Sequence, residues 1–175
     1  PIGLREAFVA GGGTSTAPWT FEGNVQTYQN KTLRWKGHFD QWKAIIDMGL
    51  LDLEPVNING VDVVPRDVFH ACVGPKITAT EEDRDLVIVR VKAVGEKAGK
   101  AAEALVQVID YHDEATGFTA MERTTGWHGA IVAIMNARGQ TPRGVKPVET
   151  GVPAQLFVGE MKKRGLSMTE EITYP

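Results

Sequence analysis

A run of alternating apolar residues near the middle of the chain constrains the fold most. Between residues 85 and 94 the apolar odd positions are Val87, Val89, Val91 and Ala93. The even positions begin apolar and turn basic at Arg90 and Lys92, so we expect one face to be buried throughout and the other to leave the core halfway along. A second apolar run, residues 104–111, follows a loop that contains Gly99. The two runs predict an antiparallel hairpin.

Strand and helix signals are mixed along the rest of the chain. The predicted strands are residues 4–10, 25–35 and 166–172, and the predicted helices begin near residues 38, 65, 127 and 153. An Asn-Gly pair at Asn59 and Gly60 predicts a tight turn. Residues 14–20 are polar, contain Pro18 and are predicted to form a loop. The elements lack a strict βαβ rhythm, so the predicted class is α+β.

Composition restricts the class of partner and the compartment. The chain has 175 residues, which suits one domain. With 19 Lys plus Arg against 22 Asp plus Glu, the net charge of −3 argues against nucleic-acid binding. No segment approaches the roughly 20 apolar residues that span a bilayer, so we expect no membrane insertion. Cys72 is the single cysteine, and without an intrachain disulfide a cytoplasmic location is expected.

A glycine run near the amino end could suggest a nucleotide loop. Gly11, Gly12 and Gly13 follow the first predicted strand, as they would in a dinucleotide-binding fold. In that fold, however, the glycines open directly into a helix whose amino terminus faces the pyrophosphate. Here Pro18 and Trp19 follow without helical periodicity. We therefore expect a flexible turn and no bound dinucleotide by the usual route.

The segment that ends at His38 carries the most chemistry. Arg34 lies in a predicted strand, Gly37 is predicted to interrupt the extended segment, and His38 is predicted to begin a helix. A guanidinium presents a planar fork that suits a carboxylate, and histidine is the side chain that changes charge near neutral pH. The alternative is that Arg34 pairs with a surface Asp or Glu and that His38 only caps the helix.

A second candidate site lies at Thr124, Thr125 and Trp127. The threonines precede an apolar pattern that predicts a helix ending near Gly139, so we expect them to cap its free N–H groups. The same helix end attracts anions, so a substrate carboxylate could also bind there.

Other motifs are interpreted as structural. His70 and Cys72 are two residues apart, but zinc needs three or four ligands, so we expect no metal site and place Cys72 in the core. Tryptophans are usually core or interface anchors. Of the four, Trp35 and Trp127 lie beside the polar residues suspected of function.

Several segments occur in an order that resembles one known family. They are Glu6-Ala7-Phe8, Lys31-Thr32-Leu33-Arg34-Trp35 with Gly37 and His38, Met48-Gly49-Leu50-Leu51, Arg123-Thr124-Thr125-Gly126-Trp127, Gly144-Val145 with Pro147 and Glu149, and Glu160-Met161-Lys162-Lys163-Arg164-Gly165. The ordered set resembles the carboxyl-terminal domain of the saccharopine dehydrogenase family, which includes lysine 6-dehydrogenases. No single segment is diagnostic, and the resemblance extends over nearly the whole chain.

The resemblance implies an enzyme in two parts. A Rossmann domain, expected upstream and absent from this chain, would bind NAD or NADP. Residues 1–175 would form a single substrate-binding and dimerisation domain, with a mixed, largely antiparallel sheet flanked by helices. The reaction would be hydride transfer at a carbon–nitrogen bond of lysine, saccharopine or a related amino acid. We expect no cofactor in this chain and no turnover by the chain alone.

The resemblance also implies roles for individual residues. Arg34 would bind a substrate carboxylate, Thr124 and Thr125 would add polar contacts, and His38 would handle a proton. Trp35 and Trp127 would lie beside these groups. One departure is His128, where the family is expected to have a proline or small residue, and this leaves the substrate open. The alternative is a non-catalytic module of the same fold that dimerises or senses an amino acid, because no self-sufficient catalytic constellation is present.

Overall fold

The strands pair antiparallel throughout the computed structural model, which describes residues 2–9 and 13–175. The chain divides into two compact units, Pro1–Glu81 and Glu82–Pro175. The described residues of the first unit form two small two-stranded sheets, and those of the second form one three-stranded sheet. Helices accompany the sheets in each unit, which confirms the predicted α+β class.

The first sheet pairs β1, Arg5–Phe8, with β2, Thr32–Trp35. Both strands are shorter than the predicted ones, and residue 10, the last of the first predicted strand, lies outside the described residues, as do residues 11 and 12 of the predicted glycine turn. The loop predicted for residues 14–20 is wrong in its second half, because Ala17–Thr20 form a single helical turn, α1. The first turn of a helix tolerates proline, because a backbone N–H at that position would have no hydrogen-bond partner within the helix. Ala17, in the same turn, is buried.

The second helix, α2, spans His38–Asp47. Gly49, with φ of 73°, follows the helix closely, as predicted for its end. The Asn59-Gly60 turn is also confirmed. It joins β3, Val56–Ile58, to β4, Val61–Val63. Its two residues have φ of 53° and 86°, the left-handed geometry that a two-residue hairpin requires.

The third helix, α3, spans Pro65–Ile77 and begins at the predicted proline. The prediction that Cys72 belongs to the core is wrong, because this cysteine is exposed. The partly buried residues of the helix include Phe69 and Val73, which lie four positions apart on one face. Cys72 lies beside this face and not on it, so its side chain is not buried. Trp19 and Trp35, which are 75% and 68% exposed, also lie outside the core.

The predicted hairpin dominates the second unit. Strand β5, Leu86–Lys97, pairs along its full length with β6, Lys100–Tyr111, and β7, Met168–Thr173, pairs with the other side of β6. The prediction that one face of β5 is buried throughout is wrong, since Val89 is 47% and Val91 is 56% exposed. Strand β5 is at the edge of its sheet. Among the described strands it has a neighbour, β6, on one side only, so its side chains are less shielded from solvent.

Three helices complete the second unit. They are α4, Ala120–Ala137, α5, Val148–Gly151, and α6, Ala154–Lys163. The helix that ends near Gly139 is confirmed, but its predicted start near residue 127 is wrong by about two turns. Ile131 and Met135 of α4 are fully buried, as is Leu166 before β7. No helix within the described residues combines the length and apolar composition needed to cross a bilayer.

Candidate functional site

Arg34 and Glu6 are directly opposite each other in the first sheet, so their side chains leave the same face. The Glu6 carboxylate accepts hydrogen bonds from the backbone N–H of Phe39 at 2.6 Å and of Gly37 at 3.0 Å. These bonds, led by the one from Phe39, lower the pKa of Glu6 below its ordinary 4.5. Glu6 is therefore committed to the first turn of α2.

Arg34 is left with little to bind in the described part of the chain. Its side chain is exposed, and its Nη1 donates to the adjacent carbonyl oxygen of Leu33 at 3.0 Å. No carboxylate among the described residues forms an ion pair with it. A guanidinium in this state offers most of its planar fork to an external carboxylate.

Trp35 lies on the opposite face of the same strand, because side chains alternate along a strand. The Arg5 guanidinium carbon lies 3.4 Å from the centre of the Trp35 ring, which is a cation–π contact. Arg34 and Trp35, although adjacent in sequence, are thus not brought together on one face.

His38 is the first residue of α2 and contributes to an aromatic groove. Its ring centroid lies 6.1 Å from that of Phe8 and 6.0 Å from that of Trp42. Phe8 is two residues beyond Glu6 on β1, so it shares a face with Glu6 and Arg34. His38 and Arg34 are thereby brought to the same side of the first sheet, since α2 packs on the Phe8 face.

Thr124 and Thr125 do not begin α4, and their predicted capping role is wrong. The Thr124 hydroxyl donates to the carbonyl oxygen of Ala120 at 2.8 Å, and the Thr125 hydroxyl lies 3.5 Å from the Met121 sulfur. Both side chains therefore bond within their own helix. Thr119 is the actual cap, in a reciprocal box with Glu122.

The amino terminus of α4 is fully occupied. The Asp85 carboxylate accepts from the N–H groups of Ala120 at 2.6 Å and Met121 at 2.8 Å. The Thr119 hydroxyl accepts from Glu122 at 3.1 Å. Because the first free N–H groups of this helix are bound by the protein, this end is not an available anion site.

Thr124 and His128 nevertheless line a second groove, of about 300 Å³, in the second unit. The remaining wall is apolar and consists of Val89, Val91, Val106, Val108, Phe157, Met161 and Met168. The His128 ring meets Phe157 edge to face at 5.2 Å. Trp127 is not part of this wall, and the Arg164 guanidinium lies 5.8 Å from its ring. Of Thr124, Thr125 and Trp127, only Thr124 is among the residues that line this groove.

One polar cluster was missed by sequence reasoning. Arg123 binds Asp110 at 2.9 Å and Asp113 at 2.6 Å. Its side chain is 13% exposed, so the cluster joins the start of α4 to the end of β6 from a largely buried position. Arg123 lies in a segment that carried the family resemblance, but its partners cannot be identified from spacing. The Thr119-x-x-Glu122 box, by contrast, is a local signal for the true helix start.

The described residues contain no parallel βαβ unit of the kind that usually binds a dinucleotide, because every strand pair among them is antiparallel. Gly11 and Gly12 lie outside the described residues, and the helix after Gly13 is only the four-residue α1.

Comparison with protein-family models confirms the resemblance found in the sequence. The model for the saccharopine dehydrogenase C-terminal domain matches residues 9–166. The match covers most of the chain and extends over residues of both units. This chain belongs to the saccharopine dehydrogenase C-terminal domain family.

Proposed function

We propose that this chain is the substrate-binding and dimerisation part of an NAD(P)-dependent cytoplasmic oxidoreductase that acts on a carbon–nitrogen bond of an amino acid. The family match over residues 9–166 supports the proposal. Residues 1–175 act as one domain in it, and a Rossmann domain of the same full-length protein binds NAD or NADP. The amino acid is related to lysine or saccharopine.

The observation that carries the proposal is the state of Arg34. Its guanidinium is exposed and bonds within the described residues to the Leu33 carbonyl oxygen, while its cross-strand neighbour Glu6 is bound to α2. An arginine in this position binds a substrate carboxylate through two parallel N–H groups, which fixes both position and orientation. Carboxylate recognition of this kind is common to all the amino acids that the family name suggests.

The other predicted residues have unequal support. His38 lies in the aromatic groove on the Arg34 side of the sheet and is the candidate for exchanging a proton with the substrate amine. Thr124 lies on the wall of the second groove and can offer its oxygen lone pairs there. Thr125 and Trp127 have less support, because Met121 and Arg164 respectively contact them.

Calorimetry on the purified chain tests the role of Arg34. L-Lysine and L-saccharopine are titrated into the wild type, Arg34→Ala, Arg34→Lys and the control Arg90→Ala. Arg90 is also an exposed strand arginine, but it bonds Gln107. Loss of a charge-assisted bidentate contact should weaken binding about tenfold or more in Arg34→Ala. Arg34→Lys should be intermediate and Arg90→Ala unchanged. Equal affinity in Arg34→Ala and the wild type would remove Arg34 from the site.

Turnover separates the enzyme from the non-catalytic alternative. The chain alone, given L-lysine or L-saccharopine with NAD or NADP, should form no reduced cofactor, and measurable NADH formation would contradict the proposed division of labour. The full-length product of the gene should turn over one of these substrates. A full-length protein that binds the amino acid without turnover would instead be a dimerisation or amino-acid-sensing module.

A further inference from the structure

The Glu6 side chain binds the backbone on both sides of His38. Its carboxylate accepts a hydrogen bond from the N–H of Gly37 at 3.0 Å and another from the N–H of Phe39 at 2.6 Å. Gly37 has a φ of 91°, in the left-handed region that favours glycine, and it directly precedes His38 at the start of α2. The His38 backbone is therefore held in place by a side chain from β1.

The His38 ring is oriented by aromatic contacts and keeps its nitrogens free. It is nearly parallel to the Phe8 ring, with an angle of 14° between the two planes, and it also contacts Trp42. The ring lines the aromatic groove of the first unit, whose volume is about 390 Å³. Within the part of the chain that the structure describes, neither ring nitrogen has a hydrogen bond or an ion pair. An imidazole in this state can exchange a proton with an external group.

A positive charge on His38 meets two unfavourable groups. His38 is the first residue of α2, and the amino-terminal end of a helix dipole disfavours a cation. Arg34 lies on the same side of the first sheet and is itself a cation. The ionised carboxylate of Glu6, which binds the peptide groups next to His38, opposes both effects.

The other charged side chains near this helix start are less suited to that role. Those of β1, β2, α2 and the two residues between β2 and α2 are Arg5, Lys36, Asp40, Lys43 and Asp47. Lys43 and Asp47 form an ion pair with each other, and Arg5 lies on the opposite face of the sheet. Asp40 follows His38 by two positions, a spacing at which helical side chains do not face each other.

We propose that Glu6 is a positioning residue for the proton transfer assigned to His38. It fixes the imidazole on the Arg34 side of the sheet, and its negative charge stabilises the imidazolium that forms when His38 takes a proton from the substrate ammonium. The amine nitrogen keeps the electron pair, which forms the second carbon–nitrogen bond as the hydride leaves the adjoining carbon for NAD or NADP. This inference rests on the proposed function, in which Arg34 binds the substrate carboxylate.

NMR titration of the chain without any ligand tests the link between the two charges. The Glu6 carboxyl carbon and the His38 ring are followed from about pH 3 to about pH 9. In the wild type the Glu6 signal should show a second, smaller inflection at the pH where the His38 ring titrates, because each charge stabilises the other. In His38→Gln that inflection should vanish, and the pKa of Glu6, which the charged His38 helps to lower after the Phe39 and Gly37 N–H groups, should rise slightly.

Variants of Glu6 give the reciprocal measurement. In Glu6→Gln the His38 titration should move to lower pH by about 0.5 unit, the size expected for two charges about 6 Å apart in water. Glu6→Asp keeps the charge and should move it less. The control is Glu54→Gln, which removes an exposed carboxylate of the same unit and should leave the His38 titration unchanged.

The full-length protein supplies the catalytic readout. With L-lysine or L-saccharopine and NAD or NADP, Glu6→Gln should lower kcat about tenfold and change KM by less than about twofold. The limb of the pH–rate profile that reports His38 should move to lower pH, and Glu6→Asp should recover part of the lost rate. A Glu6 that only supports the fold would lower the amount of folded protein and leave the position of this limb unchanged, which would overturn the inference.

The outcomes separate this inference from the proposed function. The absence of a second inflection at Glu6 in the wild type would overturn the inference, even if Glu6→Gln failed to fold. If Arg34→Ala still weakened amino-acid binding in that case, the proposed function would stand. Unchanged binding in Arg34→Ala, or no turnover by the full-length protein, would overturn the proposed function and the catalytic role of Glu6 with it.

Discussion

The carboxylate of Glu6 accepts a hydrogen bond from the backbone N–H of Phe39 at 2.6 Å, across a separation of 33 residues. This contact ties the first strand to the start of α2 and commits the Glu6 carboxylate to backbone N–H groups and not to the cross-strand Arg34. The hydrogen bonds that Glu6 accepts thus hold the start of α2 and leave the Arg34 guanidinium without an ion pair to Glu6.

Glu6→Gln should weaken the attachment of α2 mainly above the acid range. The pKa of Glu6 is lowered by the N–H groups of Phe39 and then Gly37, so the folded state binds a proton less readily than the unfolded state. The contribution of Glu6 is present above 4.5 and is lost as pH falls through the lower folded value. Urea unfolding followed by circular dichroism should show a higher midpoint for the wild type at about pH 7, and the difference from the variant should shrink as the pH falls below 4.5.

A midpoint difference that stayed constant across this pH range would contradict the role assigned to the carboxylate. Carbon-13 NMR of the Glu6 side chain in the wild type gives an independent check, since its titration should be centred below the ordinary value of 4.5.

Thr119→Ala should destabilise the second unit by about 1 kcal/mol, the usual cost of losing a helix cap. The Thr119 hydroxyl accepts from the N–H of Glu122, and alanine cannot replace that acceptor. Asp85 continues to bind the N–H groups of Ala120 and Met121, so the helix should still form. The matched control is Thr125→Ala, whose hydroxyl contacts a sulfur within the helix and whose removal should cost less than about 0.5 kcal/mol. Comparable losses in the two variants, measured by urea unfolding, would argue against Thr119 as the cap.

Arg123→Met should lower the melting temperature by about 5–10 °C, because it leaves the buried Asp110 without its cation. The pKa of Asp113 is lowered first by the Thr116 hydroxyl, then by the Ala115 N–H, with Arg123 acting after them. In the variant this pKa should therefore rise only partly and remain below its ordinary 3.8. Calorimetric melting and NMR titration provide the two measurements.

Arg143→Met is the control, since Arg143 is an exposed arginine of the same unit. A melting temperature that fell equally in both variants would show a general effect of lost charge and not of the Arg123 cluster.

Arg164→Gln should raise the pKa of Glu160. The hydrogen bond from Arg164, followed by that from Lys163, lowers this pKa from 4.5 to about 2. The associated stability is present above 4.5 and is lost as pH falls towards about 2. In the variant the stability that Glu160 contributes should be smaller, and it should be lost at a pH closer to 4.5. Carbon-13 NMR titration of Glu160 measures the shift directly. Lys162→Gln is the control, because Lys162 pairs with Glu170 at 3.5 Å, and a shift of equal size there would exclude a specific role for Arg164.

The sequence predicted elements whose signals are local. The Asn59-Gly60 turn formed as expected because its left-handed geometry is a property of those two residues. The β5–β6 hairpin formed because an apolar period of two has to place alternate residues on one face. The start of α4 was missed because the threonines at 124 and 125 were favoured over the capping box that begins at Thr119.

The sequence by itself therefore determined the α+β class, the main strand pair, the turns and the family to which the chain belongs. Only the tertiary structure decided which polar groups form hydrogen bonds or ion pairs within the protein. Glu6 bonds Phe39 and not Arg34, and Asp85 reaches Ala120 from 35 residues away. The physical reason is that periodicity and turn conformation depend on residues close together in sequence. A carboxylate, by contrast, can accept a hydrogen bond from any donor that folding brings within about 3 Å, however distant in sequence.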